Sequence, residues 1–585
     1  MGMDDDDPRS PWEQAREAEQ IGIIMMTEPK DLGLPTLGHE GIVSVLLRYD
    51  RDFTVGVYCN VGMLLFSLGD SRGQVQRELI AKWLPEPARA KALALIDEVP
   101  TRVVITHEAC VRLAALAMTH CPTTGGIDQG DEEAGGLLLL TPEVQAGLSR
   151  MFETDSAQVP RGSKEAFDEW AVTIFVGANT GGIGDDTRSM LNASTLGAIA
   201  VPFVAKHLDR KKLAQVNAAV HAAVSADHAE FFAACVHLVS HLSFNEVLVE
   251  KGKQPQVGMN AGAQRARGER LSAVVVRALE VGSAAPVEGL QLADALGPAA
   301  CLQDGLRFRP FYQASRDPDV HLCWNTEMLH TMLGGMFPEW LRPALPIVEF
   351  EWFSGAWDRA VEDAIDQMVT PFVPSWGPPK VKGKNCDRIF HEDDDLFLVE
   401  VKNVKPSPGL LRRATPASLR AWLTDKFFNK GGFPQVYATL RQLDAQDRRI
   451  GSRRTSKYRA FWPIIVCWTR APADPMFLDM LSSLVPPQQG MESVQSRLRG
   501  PLILSYDELL LITSLLPALR RSGLSLGRVL DGFMAKRHGR PFGLSMYITS
   551  LLGPTIVPDD VPDLMRKSMD WVREAGDRMR SEPSA

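Results

Sequence analysis

Three ionisable residues in the segment 383–402 have the types and spacing of a metal-dependent hydrolytic site. Asp387 lies in one short apolar segment, and Glu400 and Lys402 come at the end of the next, Leu396 to Val401. Because side chains alternate along a β-strand, Glu400 and Lys402 are expected on one face, and a neighbouring strand can bring Asp387 beside Glu400. Paired carboxylates repel each other unless a cation lies between them, and their oxygens suit Mg²⁺ or Mn²⁺.

The chemistry expected of these three groups is hydrolysis of a phosphate ester. A divalent cation stabilises charge on a phosphate and lowers the pKa of a bound water, which then attacks. A lysine two residues after the glutamate can hold that water or offset the developing charge. The alternative is that Glu400 and Lys402 form an ordinary solvated ion pair. Two other acid-x-Lys triplets, at 28–30 and 209–211, do not end an apolar strand of this kind.

Asp387, followed by Glu400-Val-Lys402 at the end of an apolar strand, resembles the PD-(D/E)xK pattern of the restriction-endonuclease-like nuclease superfamily. The resemblance covers residues 346 to about 506. In that superfamily the Asp, the Glu and the Lys bind metal and activate water. The resemblance therefore implies that Asp387 and Glu400 are metal ligands and that all three residues are catalytic.

An acidic amphipathic stretch, Trp357 to Val369, precedes this segment and is predicted to be a helix. A helix before the Asp often supplies a further acid in the superfamily, and Glu362 is our candidate for that catalytic and metal-binding role. Asp358, one turn away on the same face, competes with it. The alternative for either acid is a solvated helix face.

Gln435 provides a second, partial match. The recombination-nuclease branch of the superfamily has a Gln and a Tyr four residues apart on the helix that follows. Here Tyr437 comes two residues after Gln435, and Thr439 stands where the Tyr would be. The resemblance implies a catalytic role for Gln435, in contact with the metal-bound water or a phosphate, and leaves the branch open.

The charge distribution favours a nucleic-acid partner, DNA in our preferred hypothesis. Residues 402–459 contain 14 Lys or Arg and three acids, a net charge of +11 within a chain of net charge -9. Phosphate-binding proteins gain affinity through such residues by releasing counterions. The alternative is that this basic run is a solvated face. The residues predicted to bind nucleic acid are Lys426 and Lys430, close to the site, and Arg448, Arg449, Arg453 and Arg454, on a loop.

The predicted elements from residue 346 onward run helix, strand, strand, helix, strand, which indicates a small central sheet flanked by helices. We therefore predict an α+β multidomain protein with a C-terminal α/β core, which the resemblance implies is restriction-endonuclease-like, and a mixed, largely helical N-terminal region. Four segments are predicted: 1–125, mixed α/β; 126–345, mostly helical; 346–510, the nuclease-like domain; and 511–585, a C-terminal helical segment.

The N-terminal half gives weaker patterns. Ile42 to Leu47 and Phe53 to Leu68 carry apolar residues typical of strands, while Glu78 to Ile96 has helical periodicity. Leu191 to Leu248, rich in Ala, Val and Leu, indicates two or three packed helices. A Gly-rich loop at 175–184 lacks the Gly-Lys-[Ser/Thr] of a P-loop, so nucleotide binding is the weakest hypothesis.

Composition excludes several classes of protein. The chain of 585 residues is 45% hydrophobic and 23% charged, which is typical of a folded protein of about three domains. The eight cysteines form no Cys-x-x-Cys pair, so neither a zinc ribbon nor a disulfide framework is indicated. The first residues are acidic, without the basic-then-apolar layout expected of a signal peptide, and the sequence has no apolar run of the ~18–20 residues that a membrane helix needs. We expect a cytoplasmic protein.

These observations lead to two hypotheses. The preferred one is a Mg²⁺- or Mn²⁺-dependent nuclease that hydrolyses phosphodiester bonds in DNA, with a role in genome defence or repair. Residues 1–345 would then serve for target recognition or bind a protein partner. The alternative is a catalytically inactive nuclease-like protein with a structural or partner-binding role. The intact Asp387, Glu400 and Lys402 weigh against this alternative.

Overall fold

In the computed structural model, the described residues are 25–68, 73–98, 102–123, 130–152, 168, 171–172, 175, 200–243, 258–266, 275–276, 278, 280–281, 309–326, 328–329, 337–369, 375–376, 385–402, 404, 406–429, 431–451, 453–467, 475–485, 491–536, 544, 547–548, 551, 570 and 574. Their fold is mixed α+β and mostly helical. The chain divides into two units, one made of 1–159, 221–332 and 574–585, the other of 160–220 and 333–573. The four segments predicted from sequence have other boundaries and stay predictions.

Helices dominate the first unit. They are Gly38–Leu46, Arg51–Leu68, Gly73–Trp83, Ala88–Glu98, His107–His120, Asp131–Leu138, Thr141–Phe152, His228–Ser243 and Ala261–Ala266, with Arg210–Val224 running across the boundary between the units. The short strands β1 (Met25–Met26) and β2 (Arg102–Val103) pair in parallel. The strands β3 (Gly258–Asn260), β4 (Glu280–Val281), β5 (Phe311–Gln313) and β6 (Val320–Cys323) form a sheet in the order β3-β6-β5-β4.

Two strand-like segments of the N-terminal half are helical, so that prediction was wrong. The helix Arg51–Leu68 packs against His107–His120, and its apolar residues Val55, Val61 and Leu65 are buried there. Packing in a core outweighs the weak β preference of such residues. The helical prediction for Glu78 to Ile96 is confirmed, although the segment is divided into two helices. The helices predicted in Leu191 to Leu248 are confirmed where the chain is described.

A five-stranded sheet forms the centre of the second unit. Its strands are β7 (Ser375–Trp376), β8 (Arg388–Glu392), β9 (Asp395–Lys402), β12 (Ala460–Cys467) and β13 (Leu502–Ser505), and the hairpin strands β10 (Arg449–Ile450) and β11 (Arg453–Arg454) precede β12. The order across the sheet is β13-β12-β9-β8-β7. β7, β8 and β9 are antiparallel, whereas β12 and β13 run parallel to β9. The strands predicted around Asp387, Glu400, Phe461 and Leu502 are confirmed.

Two helices of the second unit pack on the sheet and are named below. The helices in the described part of this unit include Phe337–Leu341, Ile347–Val369, Pro408–Arg412, Pro416–Leu423, the π-helix Thr424–Asn429, Phe433–Ala445, Pro475–Ser483, Tyr506–Arg521 and Leu526–Lys536. Ile347–Val369, here called the upstream helix, contacts β9 and the helix Tyr506–Arg521. Phe433–Ala445, here called the crossover helix, joins the parallel strands β9 and β12 and packs on both. The predicted helix at Trp357 to Val369 is confirmed.

The central strands are buried on both faces, which explains their continuous apolar sequences. All eight residues of β12 are buried, and in β9 only the last residue, Lys402, is partly exposed. A charged residue inside such a strand is costly to bury, so the burial of Glu400 near the end of β9 needs a physical reason. None of the helices in the described part of the chain has the length and apolar character needed to cross a membrane.

Candidate active site

Glu400 and Lys402 lie on one face at the end of β9, as strand alternation predicts. Lys402 Nζ donates a hydrogen bond to Glu400 Oε1. The side chain of Glu400 is 1% exposed, while that of Lys402 is 23% exposed. The second carboxylate oxygen, Glu400 Oε2, is buried and accepts no hydrogen bond from any described residue. The pair is therefore not the solvated ion pair considered as the alternative.

Asp387 lies beside Glu400, as predicted from the two adjacent strands. The antiparallel register of β8 and β9 places the residue just before β8 level with Glu400. Asp387 Oδ2 accepts a hydrogen bond of 2.8 Å from the backbone N–H of Val401. Burial, together with the negative charge of Asp387, raises the pKa of Glu400 to about 8, although Lys402 acts in the opposite direction.

Glu362 extends the same acidic group from the upstream helix. Burial and the negative charge of Asp387 raise the pKa of Glu362 to about 7, even though Arg388 partly offsets them. Glu362 in turn adds to the raised pKa of Glu400. Asp358, the competing candidate, also raises the pKa of Glu362, and its Oδ1 atom is buried. Neither acid stands on a fully solvated helix face.

These carboxylates fit a divalent cation of the Mg²⁺ type. No group of three or more His, Cys, Asp or Glu side chains is arranged to hold a metal ion among the residues that the structure describes. Mg²⁺ often takes only one or two protein carboxylates and completes its shell with waters and substrate phosphates. Asp387 and Glu400 meet that smaller requirement, because Glu400 Oε2 is buried without a donor in the described part of the chain. A bound cation would also relieve their mutual repulsion.

Gln435, in the first turn of the crossover helix, contacts the lysine that is expected to activate water. Its Oε1 atom accepts a hydrogen bond of 3.4 Å from Lys402 Nζ. Its Nε2 atom donates a hydrogen bond of 3.2 Å to the backbone carbonyl of Asn385. The amide thus links the end of β9 to the segment that carries Asp387. Contact of Gln435 with a water or a phosphate stays a prediction.

Thr439 takes the position at which the recombination-nuclease branch has tyrosine. Its hydroxyl donates to the backbone carbonyl of Gln435 at 2.9 Å and accepts from the backbone N–H of Cys386, also at 2.9 Å. Tyr437 is buried and stacks on Phe433 with ring centroids 6.0 Å apart. Thr439, and not Tyr437, therefore ties the crossover helix to the segment next to Asp387.

Two glycines bring the crossover helix close to Lys402, and sequence reasoning did not assign them a role. Gly431 has φ 128° and Gly432 has φ 69°, in the region where side chains are disfavoured. A Cβ atom on Gly431 would lie 2.5 Å from Gln435 Oε1 and 3.4 Å from Lys402 Nζ. The Gly-Gly pair after residue 430 was the available signal, because it marks a close backbone approach before a helix.

The structure separates the basic residues that were predicted to bind nucleic acid. Lys426 belongs to the π-helix Thr424–Asn429, just before Gly431, and pairs with Asp425 at 3.0 Å. Lys430 lies outside the described residues. The other four residues form or flank the β10–β11 hairpin, which replaces the loop expected there. They are Arg448, Arg449, Arg453 and Arg454.

The β10–β11 hairpin lies at the end of the sheet opposite to Glu400. It precedes Ala460, the first residue of β12, which pairs with Asp395 at the start of β9. Arg453 forms an ion pair with Asp394, in the turn before that strand. Glu400 comes five positions after Asp395, and at ~3.3 Å per residue this is about 17 Å. The hairpin arginines are thus too far away to contact a phosphate bound at Glu400.

Comparison with known proteins assigns no family to this chain. No protein-family model, no curated protein and no solved structure matches it.

Two further residues of the site were missed from the sequence. Arg388, directly after Asp387, binds a carboxylate of the upstream helix. Tyr506 follows β13 and is buried, and burial together with nearby charges, Asp358 first, raises its pKa well above the usual range. The position of Arg388 beside a predicted ligand and after an acidic helix was a usable signal. Tyr506 had none, because only the parallel pairing of β12 and β13 brings it to this edge.

Proposed function

We propose that this protein is a metal-dependent nuclease that hydrolyses phosphodiester bonds in DNA with Asp387, Glu400 and Lys402. The observation that carries the proposal is the environment of Glu400. This carboxylate is 1% exposed, has one oxygen without a donor among the described residues, and lies between Asp387 and Lys402. Buried acids with raised pKa values are concentrated at functional sites, because folding alone gains little from them.

The arrangement of the second unit supports a restriction-endonuclease-like core. An upstream helix, an antiparallel strand pair carrying the Asp and the Glu-x-Lys, a crossover helix and a parallel strand follow one another in the expected order. Glu362, on the upstream helix, fits the place of the additional acid, since its charge is coupled to those of Asp387 and Glu400.

Mg²⁺ or Mn²⁺, held by Asp387 and Glu400, would offset charge on the scissile phosphate and lower the pKa of the attacking water. The protein's own groups do the remaining work. Lys402 Nζ, placed between Glu400 and Gln435, donates a hydrogen bond to the water or to a phosphate oxygen as charge develops. The carboxyl group of Glu362 can hold or release a proton near neutral pH, because its pKa is raised to about 7.

A DNA substrate is supported by charge. The segment 402–459, which begins at Lys402 of the site and includes Gln435, has a net charge of +11, and Lys426 comes five residues before Gly431 in the chain. A role in genome defence or repair, and target recognition or partner binding by residues 1–345, belong to the same proposal. They rest on analogy with nucleases that carry a large additional region.

The test is a substrate and metal matrix. The purified full chain is incubated with plasmid, linear duplex DNA, single-stranded DNA and RNA, each with Mg²⁺, Mn²⁺ or EDTA. We expect cleavage of DNA with either metal, none with EDTA, and none by Glu400→Gln. Glu392→Gln is the matched control. Glu392 is also a buried glutamate of the β8–β9 pair, but it binds Arg520 and lies at the end of the pair away from Glu400. A wild-type protein that cleaves no substrate would favour the inactive, partner-binding alternative.

A further inference from the structure

Arg388 connects the sheet to the acidic side of the upstream helix. Its Nε atom lies 2.7 Å and 2.6 Å from the two carboxylate oxygens of Asp366. Its Nη1 atom donates to the backbone carbonyl of Asp387 at 2.9 Å. One guanidinium therefore links the helix to the main chain of the residue that we propose as a metal ligand.

The same guanidinium stands near Glu362 without being hydrogen-bonded to it. Arg388 Nη1 lies 3.8 Å from Glu362 Oε2, beyond the 2.7–3.2 Å range of an N–H···O bond. Asp366 and Glu362 are four residues apart on one helix and so share a face. Asp366 has the shorter contacts with the guanidinium. The carboxylate of Glu362 is therefore not hydrogen-bonded to Arg388 and can contact a metal ion.

We infer that Arg388, held by Asp366, is a positioning residue that sets Glu362 relative to Asp387 for metal binding; the inference rests on the proposed function. The planar guanidinium suits this task, because its donors are fixed in one plane and reach two partners at once. A lysine keeps the charge but has neither the plane nor the second set of donors. Partners of metal ligands commonly affect metal affinity without contacting the ion.

The competing explanation is that the contacts of Arg388 only hold the upstream helix against the sheet and stabilise the fold. Arg459 provides the matched control for this explanation. Arg459 pairs with Asp395 at 2.7 Å and also with Asp531. It precedes β12, at the end of the sheet opposite to Glu400. Arg459→Lys therefore breaks an arginine clamp of the same kind while leaving the acidic site untouched.

The experiment measures Mn²⁺ binding to the full chain by titration calorimetry, without substrate, for wild type, Arg388→Lys, Glu362→Gln and the double variant. We expect Arg388→Lys to bind Mn²⁺ about tenfold more weakly, as is usual for partners of metal ligands. In the Glu362→Gln background the same change should have no further effect, because the positioned group is gone. Arg459→Lys should lower the thermal midpoint but bind Mn²⁺ like the wild type.

The outcomes separate this inference from the proposed function. If wild type binds Mn²⁺ and cleaves DNA while Arg388→Lys binds Mn²⁺ equally well, only the inference is overturned. An equal loss of affinity with and without Glu362 would also overturn it, since Arg388 would then not act through Glu362. A wild-type protein that binds no Mn²⁺ would overturn both.

A second variant covers the case in which Arg388→Lys does not fold, as judged by circular dichroism. Asp366→Asn keeps the size of the side chain and removes the charge that holds Arg388. The guanidinium of Arg388 should then move toward Glu362. Asp366→Asn should therefore weaken Mn²⁺ binding when Glu362 is present, but should have no effect in the Glu362→Gln background. Unchanged Mn²⁺ affinity in Asp366→Asn would overturn the inference.

Discussion

Asp387 Oδ2 accepts a hydrogen bond of 2.8 Å from the backbone N–H of Val401, the residue that follows Glu400. The bond crosses from the start of β8 to the end of β9 and fixes the Asp387 carboxylate beside that of Glu400. The two strands cannot separate to relieve the repulsion between these charges, because the whole β8–β9 register holds them together. In the metal-free site, ionisation of Glu400 beside Asp387 therefore creates a repulsion that a divalent cation removes.

Asp387→Asn should remove most of the thermal stabilisation that Mg²⁺ or Mn²⁺ gives to the wild type. A ligand that binds only the folded state adds about 1.4 kcal/mol at ten times its Kd, which is a shift of roughly 2–4 °C for a large unit. A carboxamide is a poorer ligand, and its neutrality should raise the midpoint of the metal-free protein. Thermal melts with EDTA and with metal provide the measurement. Equal metal-induced shifts in both proteins would show that Asp387 is not a ligand.

Lys402→Ala should lower kcat for DNA cleavage by a hundredfold to a thousandfold, about 3–4 kcal/mol of barrier, because its ammonium acts on charge that forms in the transition state. Gln435→Ala should cause a smaller loss, since the side-chain contacts of Gln435 in the structure are with Lys402 and with the backbone of Asn385. Gln442→Ala, in the same crossover helix, is the control and should cleave like the wild type. Steady-state kinetics on a duplex substrate measures kcat for each variant. A larger loss of kcat for Gln435→Ala than for Lys402→Ala would contradict these roles.

The stability of the metal-free protein should fall as the pH rises from about 5 to above 8. A free glutamate has a pKa of about 4.3, whereas burial raises that of Glu400 to about 8 and that of Glu362 to about 7. The folded state therefore binds more protons than the unfolded state in this window. The contribution of these two groups to the free energy of unfolding is fully present below pH 4.3 and is lost as the pH rises through 7–8. Denaturant unfolding should show a flatter pH profile for Glu400→Gln. Identical profiles would contradict the raised pKa.

The same carboxyl groups should make metal binding release protons at pH 7, because ligands must be deprotonated before they bind. Mn²⁺ affinity should therefore rise between pH 6 and pH 8. Calorimetry in two buffers of different ionisation enthalpy measures the protons released, about one for each ligand that is protonated beforehand. A heat independent of buffer would mean that Glu400 is already ionised in the metal-free protein.

Gly431→Ala should destabilise the second unit and weaken catalysis together. Its φ of 128° is strained for alanine, and the new Cβ would lie 2.5 Å from Gln435 Oε1. Strained backbone of this kind costs about 1–3 kcal/mol. Gly523→Ala separates the two effects, because Gly523 has φ 73° but no described atom within 4 Å of the added Cβ. Gly523→Ala should lose stability and keep kcat; an equal loss of kcat in both would show that Gly431 has no special link to Lys402.

Local patterns were enough to predict the sheet and the acidic pair. The short apolar runs of β9 and β12 favoured buried strands, and alternation placed Glu400 and Lys402 on one face. The choice of Glu362 depended on the helical period of the upstream helix. Each of these signals depends only on residues a few positions apart in the chain.

Features that depend on distant pairings could not be predicted in the same way. The parallel register of β9 with β12 puts the basic hairpin at the far end of the sheet, and nothing within 448–454 encodes that position. The helix Arg51–Leu68 carries strand-like residues, yet packing against His107–His120 keeps it helical. Burial in a tertiary core overrides local preference in such cases.

Neutralising the hairpin arginines should change DNA binding but not the chemical step. Arg448, Arg449, Arg453 and Arg454 form or flank the hairpin at the Asp395 end of β9, and that end is about 17 Å from Glu400 at ~3.3 Å per residue. We therefore expect these arginines to contact only phosphates away from the cut. Replacing all four with Gln should flatten the plot of log affinity against log salt, by up to ~0.9 for each phosphate that is no longer neutralised, and leave kcat at saturating DNA unchanged. Lys426→Gln, nearer the crossover helix, is the comparison and should lower kcat. Fluorescence anisotropy over a salt series measures the slope; an unchanged slope would mean that the hairpin faces solvent, away from the DNA.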